Sequence, residues 1–496
     1  MTETNNSKQV FVVTFPLTTE KWQEDRIDKM MRLLTVFYND KQKALLKKWK
    51  HIQNSAEYKA HKAENARNSL IMYMRDYGFS EFGFKELFKD ANLKDSPYAT
   101  YGLNSAILRN LAKFAWSAWS KKLEEKNKNI FVRDDKDVNI IKSDFKSSNN
   151  KVSGFDINYK DSTITMFASR PQKHVLFTIP FVVNRNSDYE AFALSEIQKD
   201  STKLRNLAIV RKEIRGKYKY FVQFSIAGTP YNKGRQLGEG VVGIDPGLSK
   251  IAVVSDTAVR VIPLAESIER DERETRRLQR KLDRSRRAMN PDNYNEDGTI
   301  SKGRHEWVKS RHYEETRSLL ADRQRKLAAK RKIAHNELAN ELLAMGNEFR
   351  VENNWFKGMQ ARAKETTKNA KGKNNSKKRY GKTIAKRAPS EFLTILENKV
   401  RQYENGVYVD IPTSTACTQY DFTNGEFTYH DPQTERTITT SDGRVHDRDA
   451  LAAFNIKFVC PEKVVGKKKI EKSDKNFDNE SMAAFYPRFC QMENKE

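Results

Sequence analysis

The stretch VVGIDPGLSKIAVVSD, residues 241–256, decides the fold of the C-terminal half of the chain. One apolar run ends at Asp245, and a second begins after the turn residues Pro246 and Gly247. The pattern predicts a β-hairpin whose first strand presents Asp245 at its end, with Gly247 relieving the turn. Burying an unpaired carboxylate is costly, so Asp245 must either cap local amides or have partners elsewhere in the sequence.

Two further segments place a carboxylate at the end of a predicted element. FRVENNW, residues 349–355, follows a long helical pattern and puts Glu352 after strand-like residues, and VHDRDALAAFNIKF, residues 445–458, puts Asp449 at the start of a helix. Each has an ordinary explanation, an ion pair for Glu352 and an N-cap for Asp449. Together with Asp245 they indicate oxygen ligands for two Mg²⁺ ions, with Mn²⁺ as a substitute, in phosphodiester hydrolysis.

The composition narrows the choice of partner. The 496 residues carry a net charge of +26, which favours a polyanion, with nucleic acid as the leading candidate. No segment has the length of a membrane span, and the start, MTETNNSKQV, lacks the pattern of a signal peptide. Three scattered cysteines are too few for a disulfide framework. We therefore expect a cytoplasmic protein of roughly three domains that makes no contact with a membrane.

Two segments concentrate the positive charge. Residues 268–345 predict two charged helices around the loop NPDNYNEDG, and residues 362–387 predict a mobile basic loop. Charge runs are usually solvated helix faces, but the first helix is so dense in arginine that its residues repel one another unless phosphates or acidic groups neutralise them. The nucleic-acid-binding residues that we predict are Arg276, Arg277, Arg280, Lys281 and Arg284 on the first helix and Lys377, Lys378 and Arg379 in the loop.

Several motifs follow one another in an order typical of a known family. These are GIDPG, the arginine-rich LQRKLDRSRR, NPDNY, RVEN, KGMQARA and DRDALAAFNI, which together extend from about Gly243 to Phe458. In this order they resemble the motifs of TnpB-like RNA-guided nucleases and of compact type V CRISPR effectors. The N-terminal half agrees with the family only in its general β-plus-helical character.

The resemblance implies a multidomain α/β protein with an RNase H-like (RuvC-type) nuclease domain. It also implies a β-barrel-like wedge module with an inserted helical recognition module before that domain. The expected parts are the first wedge strand at 1–20, the recognition module at 21–126, the rest of the wedge at 127–236, the nuclease domain at 237–400, a target-binding insert at 401–446, and the end of the nuclease domain with a basic tail at 447–496.

The same resemblance implies an activity and its partners. Asp245, Glu352 and Asp449 would hold the metal ions of a prokaryotic endonuclease that cleaves target DNA. Guide RNA would supply sequence specificity by pairing, and the protein would read a short motif beside the target. The sequence does not distinguish a transposon from a CRISPR setting, and it gives no indication of protein partners.

The insert departs from the family pattern. Relatives usually carry two CxxC pairs there, whereas this chain has Cys417 with Tyr420 in place of the second thiol, and Thr439 and Asp442 in place of the other pair. One cysteine cannot make a four-thiolate site, so we expect no zinc. Leu451 replaces an asparagine that many relatives have after the third acidic residue.

Two other function classes remain open on the sequence. An RNA-guided repressor of the same ancestry would be expected to have lost an acidic residue, and all three are present. An actin-like phosphotransferase would need further glycine-rich phosphate loops. Three residues stay outside the catalytic set: Asp447 as a solvated or arginine-paired turn residue, Arg448 as a contact of the phosphate or of a neighbouring carboxylate, and His335 as a packing histidine.

Overall fold

A computed structural model describes most of the chain. The described residues are 9–64, 67–89, 97–124, 130, 132–133, 137–146, 151–168, 174–184, 186–363, 365, 367, 369–370, 372, 380–431, 435–467 and 470–493. They form two compact units, Met1–Lys233 and Gly234–Glu496. Both units mix helices with sheets, so the chain is a mixed α/β protein.

The first unit contains one strand, six helices, five strands, a helix and two long strands. In chain order they are β1 (Val10–Pro16), α1 (Lys21–Asn54), α2 (Ala56–Ala63), α3 (Arg67–Asp76), α4 (Glu81–Leu87), α5 (Pro97–Thr100), α6 (Ser105–Glu124), β2 (Ile140–Lys146), β3 (Lys151–Val152), β4 (Phe155–Asn158), β5 (Thr163–Phe167), β6 (Val175–Pro180), α7 (Asp188–Lys199), β7 (Leu204–Ile214) and β8 (Lys217–Ala227).

The helices of this unit share one apolar core with its sheets. In α1 the buried side chains of Ile27, Met30, Met31 and Leu34 recur at helical spacing, which is why this face turns inward. Aromatic rings fill the core between α1 and α6, among them Trp119, whose indole nitrogen donates a 2.8 Å hydrogen bond to Gln42.

The strands form a five-stranded sheet, β1-β8-β7-β2-β3, and a three-stranded sheet, β4-β5-β6. β7 and β8 form a hairpin around Arg215 and Gly216, both of which have positive φ. The two sheets are linked beyond β1, where the Val182 amide donates to the carbonyl oxygen of Pro16 at 2.8 Å. They are linked again where the amide of Phe167 donates to Gly154 at 3.0 Å.

The second unit begins with three strands and continues with helices and strands in alternation. Its elements are β9 (Val241–Pro246), β10 (Lys250–Val254), β11 (Val259–Pro263), α8 (Glu272–Met289), α9 (Arg311–Leu343), β12 (Glu348–Glu352), α10 (Phe356–Met359), α11 (Gly381–Arg387), α12 (Pro389–Val400), β13 (Val407–Ile411), β14 (Tyr420–Asp421), β15 (Glu426–Phe427), β16 (Thr437–Thr439), β17 (Val445–Asp447), α13 (Arg448–Lys457), α14 (Pro461–Val464) and α15 (Asn479–Glu493).

The main sheet of this unit has the order β11-β10-β9-β12-β13. β9, β10 and β11 are antiparallel neighbours, whereas β12 runs parallel to β9 and β13 parallel to β12. Alternate residues of β10 point to opposite faces: Ile251 and Val253 join the core of α9 and α12, and Ala252 and Val254 join the core of α13 and α15. The sheet is therefore the middle layer of three.

One predicted boundary requires correction. The insert was expected at 401–446, but β13 lies inside that range and pairs with β12 from Glu348↔Val407 to Glu352↔Ile411. A strand with a full parallel ladder belongs to the sheet, so the part outside the sheet begins after Ile411. It holds two short antiparallel pairs, β14-β15 and β16-β17.

A membrane-spanning helix would need a long and apolar segment. In the ranges given above, no helix meets both conditions.

Candidate functional site

Asp245 lies near the end of the central strand β9. The predicted hairpin is confirmed, because Asp245 pairs with Ala252 of β10 and the chain turns between Pro246 and Lys250. Gly247 serves this turn by close approach, since a Cβ there would lie 2.8 Å from the carbonyl oxygen of Lys250. Its backbone does not need the left-handed conformation.

Glu352 is the last residue of β12, beside β9 in the sheet. The parallel register pairs Val351 with Ile244, so the next residues along the two strands are Glu352 and Asp245. Residues that continue a parallel register lie side by side, roughly 4.8 Å apart between strands. Only 7% of Glu352 is exposed. The sheet thus brings together two carboxylates that are 107 positions apart in the chain.

Asp449 approaches the same edge from helix α13. This helix packs closely on β9, because a Cβ on Gly243 would lie 2.2 Å from the carbonyl oxygen of Ala453. The N-cap of α13 is Asp447, whose Oδ1 accepts hydrogen bonds from the amides of Asp449 at 2.9 Å and Ala450 at 3.0 Å. Asp447 is thus a half-buried capping residue, and the N-cap alternative for Asp449 is wrong.

Two cations of the protein meet the Asp449 carboxylate. Arg448 donates to its Oδ1 from Nε at 3.0 Å and from Nη2 at 2.6 Å, and from Nη1 it donates to the carbonyl oxygen of Glu435 at 3.1 Å. The Lys250 ammonium lies 3.5 Å from Oδ2. Of the two roles left open for Arg448, the structure shows pairing with a neighbouring carboxylate. Lys250, which the sequence analysis missed, comes five residues after Asp245.

The folded protein disfavours the charged form of the carboxyl groups at this site. Burial raises the pKa of Asp245 well above its usual range, and the nearby charges of Glu352 and Asp449 raise it further. Burial raises the pKa of Glu352 to about 7, against a lowering contribution from a hydrogen bond with Asn354. Cys417 is affected in the same way: burial raises the pKa of its thiol well above the usual range, and the charges of Glu352 and Asp245 raise it further.

Asp245, Glu352 and Asp449 form a carboxylate cluster, and a divalent cation would match both its negative charge and its oxygen donors. Three carboxylates that repel one another offer hard oxygen ligands, and a bound cation would relieve the repulsion. In the conformation described, however, no group of three or more His, Cys, Asp or Glu side chains within the described ranges is already arranged to hold an ion. The charge of Asp449 is balanced instead by Arg448 and Lys250.

Helix α8 carries the predicted basic residues on its exposed side. Leu278 is buried, whereas Arg276, Arg277, Arg280, Lys281 and Arg284 are all exposed. Several of the arginines line an open cleft of about 720 Å³. Some charge is neutralised within the helix, since Arg277 pairs with Glu274 at 2.7 Å. Lys377, Lys378 and Arg379, the predicted binding residues of the second basic segment, lie outside the described residues.

The region of the degenerate cysteine motif is an aromatic core. Cys417 is fully buried, and Tyr420 stacks on Phe477 with ring centroids 4.1 Å apart. Asn455 of α13 donates 2.8 Å hydrogen bonds to the carbonyl oxygens of Cys417 and Tyr420, which fastens this region to the helix of Asp449. His335 is buried and packs edge-on against Phe392, as expected, but neither ring nitrogen has a hydrogen-bond partner within the described residues, so the expectation that it is satisfied is wrong.

The comparisons with known proteins give structural neighbours only. No family model and no curated protein matches the chain. A Cas12f1–sgRNA–target DNA complex matches 90% of this chain and 98% of its own, with 12% identity and a TM-score of 0.45. A CRISPR-Cas12f ternary complex matches 92% and 87%, with 13% identity and a TM-score of 0.25. A Cas12i–crRNA–double-stranded DNA complex matches 81% and 57%, with 10% identity and a TM-score of 0.25.

Proposed function

We propose that this chain is an RNA-guided DNA endonuclease whose second unit is an RNase H-like (RuvC-type) nuclease domain. The observation that carries the proposal is the position of three carboxylates at one edge of the β11-β10-β9-β12-β13 sheet. Asp245 and Glu352 end neighbouring parallel strands, and Asp449 enters from a helix packed on the same strands. The net positive charge of the chain and the order of its motifs support a nucleic-acid substrate.

Asp245, Glu352 and Asp449 are the residues that would hold two Mg²⁺ ions. When bound, the ions would activate the attacking water and stabilise the leaving oxygen of the phosphodiester. The protein supplies the rigid placement of the ligands: two lie on a hydrogen-bonded sheet, and the third lies in the first turn of a capped helix. Arg448 holds Asp449 from one side while its third nitrogen is anchored on Glu435.

The remaining parts would hold nucleic acid. Exposed arginines on α8 would contact phosphates without reading sequence, which is how most protein–nucleic acid affinity arises. In the first unit, the linked sheets would form the wedge module at 1–20 and 127–236, and α1 to α6 would form the recognition module at 21–126. The target-binding insert would occupy 412–446. Lys377, Lys378 and Arg379 keep their proposed role as backbone contacts.

The test begins with the RNA bound to the purified full-length chain. We expect a discrete structured RNA on sequencing, and a DNA matching its guide segment to be cut only when Mg²⁺ or Mn²⁺ and an adjacent motif are present. A DNA with a scrambled target is the control. Guided binding without any cleavage by the unaltered protein would favour the repressor, and heterogeneous RNA with no guided binding would refute both.

A further inference from the structure

Trp355 is an exposed aromatic side chain three residues after Glu352. Of its surface 74% is exposed, against 49% for Trp22, and Trp49 and Trp119 are buried. An exposed indole offers a flat aromatic face that a ligand can contact. Its position in the chain, three residues after Glu352, places it on the segment that leaves β12 at the carboxylates.

The indole is held in place from one side. A Cβ on Gly358 would lie 2.1 to 2.5 Å from three atoms of the six-membered ring, so the ring lies directly against the glycine backbone. The Trp355 carbonyl oxygen accepts hydrogen bonds from the amides of Gly358 at 3.0 Å and Met359 at 3.2 Å, and the neighbouring Phe356 is buried. A ring fixed before its ligand arrives loses little conformational entropy on binding.

The ring borders a cleft of about 460 Å³ at the carboxyl ends of β12 and β13. One wall continues β12 beyond Glu352 and contains Asn353, Trp355 and Lys357. The other is formed by the end of β13 and the residues after it, with Asp410, Pro412 and Thr413, and Ser390 of α12 completes the lining. The volume falls in the range of small-ligand sites, which is roughly 300 to 1,000 Å³.

These walls have the chemistry of a nucleotide subsite. An indole face accepts any base by stacking, an asparagine amide and a threonine hydroxyl can bond to base edges, and a lysine attracts phosphate. We propose that Trp355 stacks on an unpaired base of the DNA strand next to the phosphate that is cut, and so positions that strand over Asp245 and Glu352. The inference rests on the proposed function for the identity of the strand.

The binding test uses the full-length Asp245→Ala protein with its bound RNA, so that DNA stays intact. We expect single-stranded DNA to quench tryptophan emission, and Trp355→Phe to remove that quenching while Trp22→Phe keeps it. An oligonucleotide with abasic sites should not quench. Trp355→Leu should bind single-stranded DNA roughly 5- to 100-fold more weakly, as expected when one base no longer stacks, and Trp355→Phe should bind nearly as well as the parent.

A second readout uses proteins with intact carboxylates. Trp355→Leu should spread the cut over several neighbouring positions, and Trp355→Phe should keep the original position. Circular dichroism and melting temperature establish that both variants fold. If the folded Trp355→Leu protein kept the same affinity for single-stranded DNA and the same cut position, the inference would be overturned. Trp355 would then be assigned to contact with a protein partner.

The two proposals fail in different ways. Quenching through Trp355 in a protein that cuts no DNA would support the subsite and refute the nuclease. Carboxylate-dependent cleavage with equal quenching by intact and abasic DNA would support the nuclease and refute the subsite.

Discussion

The carboxylate cluster and the basic face of α8 use charge in opposite ways. In the cluster, strand register fixes the positions of Asp245 and Glu352. Both side chains are largely removed from water, and this burial raises the pKa of each. On α8, seven basic side chains are exposed along one helix, among them the five that we predict to bind nucleic acid. The function of the cluster depends on the position of each carboxylate, whereas the function of α8 depends on the number of its positive charges. A single change should therefore abolish the function of the cluster, whereas α8 should lose function gradually.

The sharpest test of this contrast removes one carboxylate at a time. Asp245→Ala, Glu352→Gln and Asp449→Ala should each lower the cleavage rate by at least about 1,000-fold, because residues that act as one unit are not additive. DNA binding should stay close to that of the unaltered protein, since none of the three lies on α8. Single-turnover cleavage and filter binding measure the two quantities.

The control for that experiment is Glu337→Gln, which removes one exposed carboxylate from α9 and should change neither quantity. If any of the three variants retained full activity, that residue would have to be removed from the site.

A second test asks whether the cluster is strained when no metal is bound. Glu352→Gln should stabilise the metal-free protein at pH 8 by about 3 kcal/mol, because the pKa of Glu352 rises from 4.5 to about 7 on folding. The folded state binds the proton more tightly, so the stability is full below pH 4.5 and falls as pH rises through about 7. The advantage of the variant should therefore vanish near pH 4.

Urea unfolding in a chelating buffer between pH 4.5 and pH 8.5 measures this difference, with Glu337→Gln again as the control. Adding Mg²⁺ should reverse the order of stability, because a charged carboxylate binds the ion more tightly than a neutral amide does. A pH-independent difference between the two proteins would mean that Glu352 is not strained by burial.

Local pattern was enough to predict the hairpin at Asp245, the strand that ends at Glu352 and the helix of Asp449, because each depends on neighbours in the chain. The register that places Glu352 beside Asp245 depends on pairing across more than a hundred residues, and no local signal encodes it. The same limit explains the misplaced boundary at β13, whose alternating residues VYVDI become a sheet strand only because β12 is its neighbour.

Two details of the site were beyond sequence reasoning for a different reason. Asp447 and Asp449 are chemically equivalent, and only the extended backbone of Asp447 decides which of them caps α13. Trp355 stands in the polar stretch ENNW, where nothing indicates whether the ring is buried or exposed. Its exposure is a property of the folded surface.

Nucleic-acid binding by the basic face of α8 should weaken gradually as positive charges are removed. Replacing Arg276, Arg277, Arg280 and Lys281 with Gln should weaken DNA and RNA binding by roughly 10- to 100-fold, with little dependence on sequence. The slope of log affinity against log salt should flatten by roughly 0.9 for each duplex phosphate that the variant no longer neutralises, or about 0.7 for a phosphate of a single strand. Binding over a salt series measures both.

The matched control exchanges Arg for Lys and Lys for Arg at the same four positions, which keeps the charge and should keep the slope. An unchanged slope in the folded Gln variant would show that α8 is a solvated charged face.

The smallest effect is expected at Lys250, a basic residue that lies beside the carboxylate of Asp449. Its ammonium lies 3.5 Å from Asp449, so it balances a charge that a metal ion would otherwise balance. Because 38% of the lysine side chain is exposed, the ion pair contributes at most about 1 kcal/mol. Losing this competitor in Lys250→Met should tighten Mn²⁺ binding by at most roughly fivefold.

Lys250→Arg keeps the charge and should leave the affinity unchanged. Titration of the chelator-treated protein followed by electron paramagnetic resonance of free Mn²⁺ measures the affinity without any need for cleavage. Weaker Mn²⁺ binding in Lys250→Met would mean that the lysine supports the ligands rather than competes with the ion, and the cluster would then have to be regarded as organised by its cations.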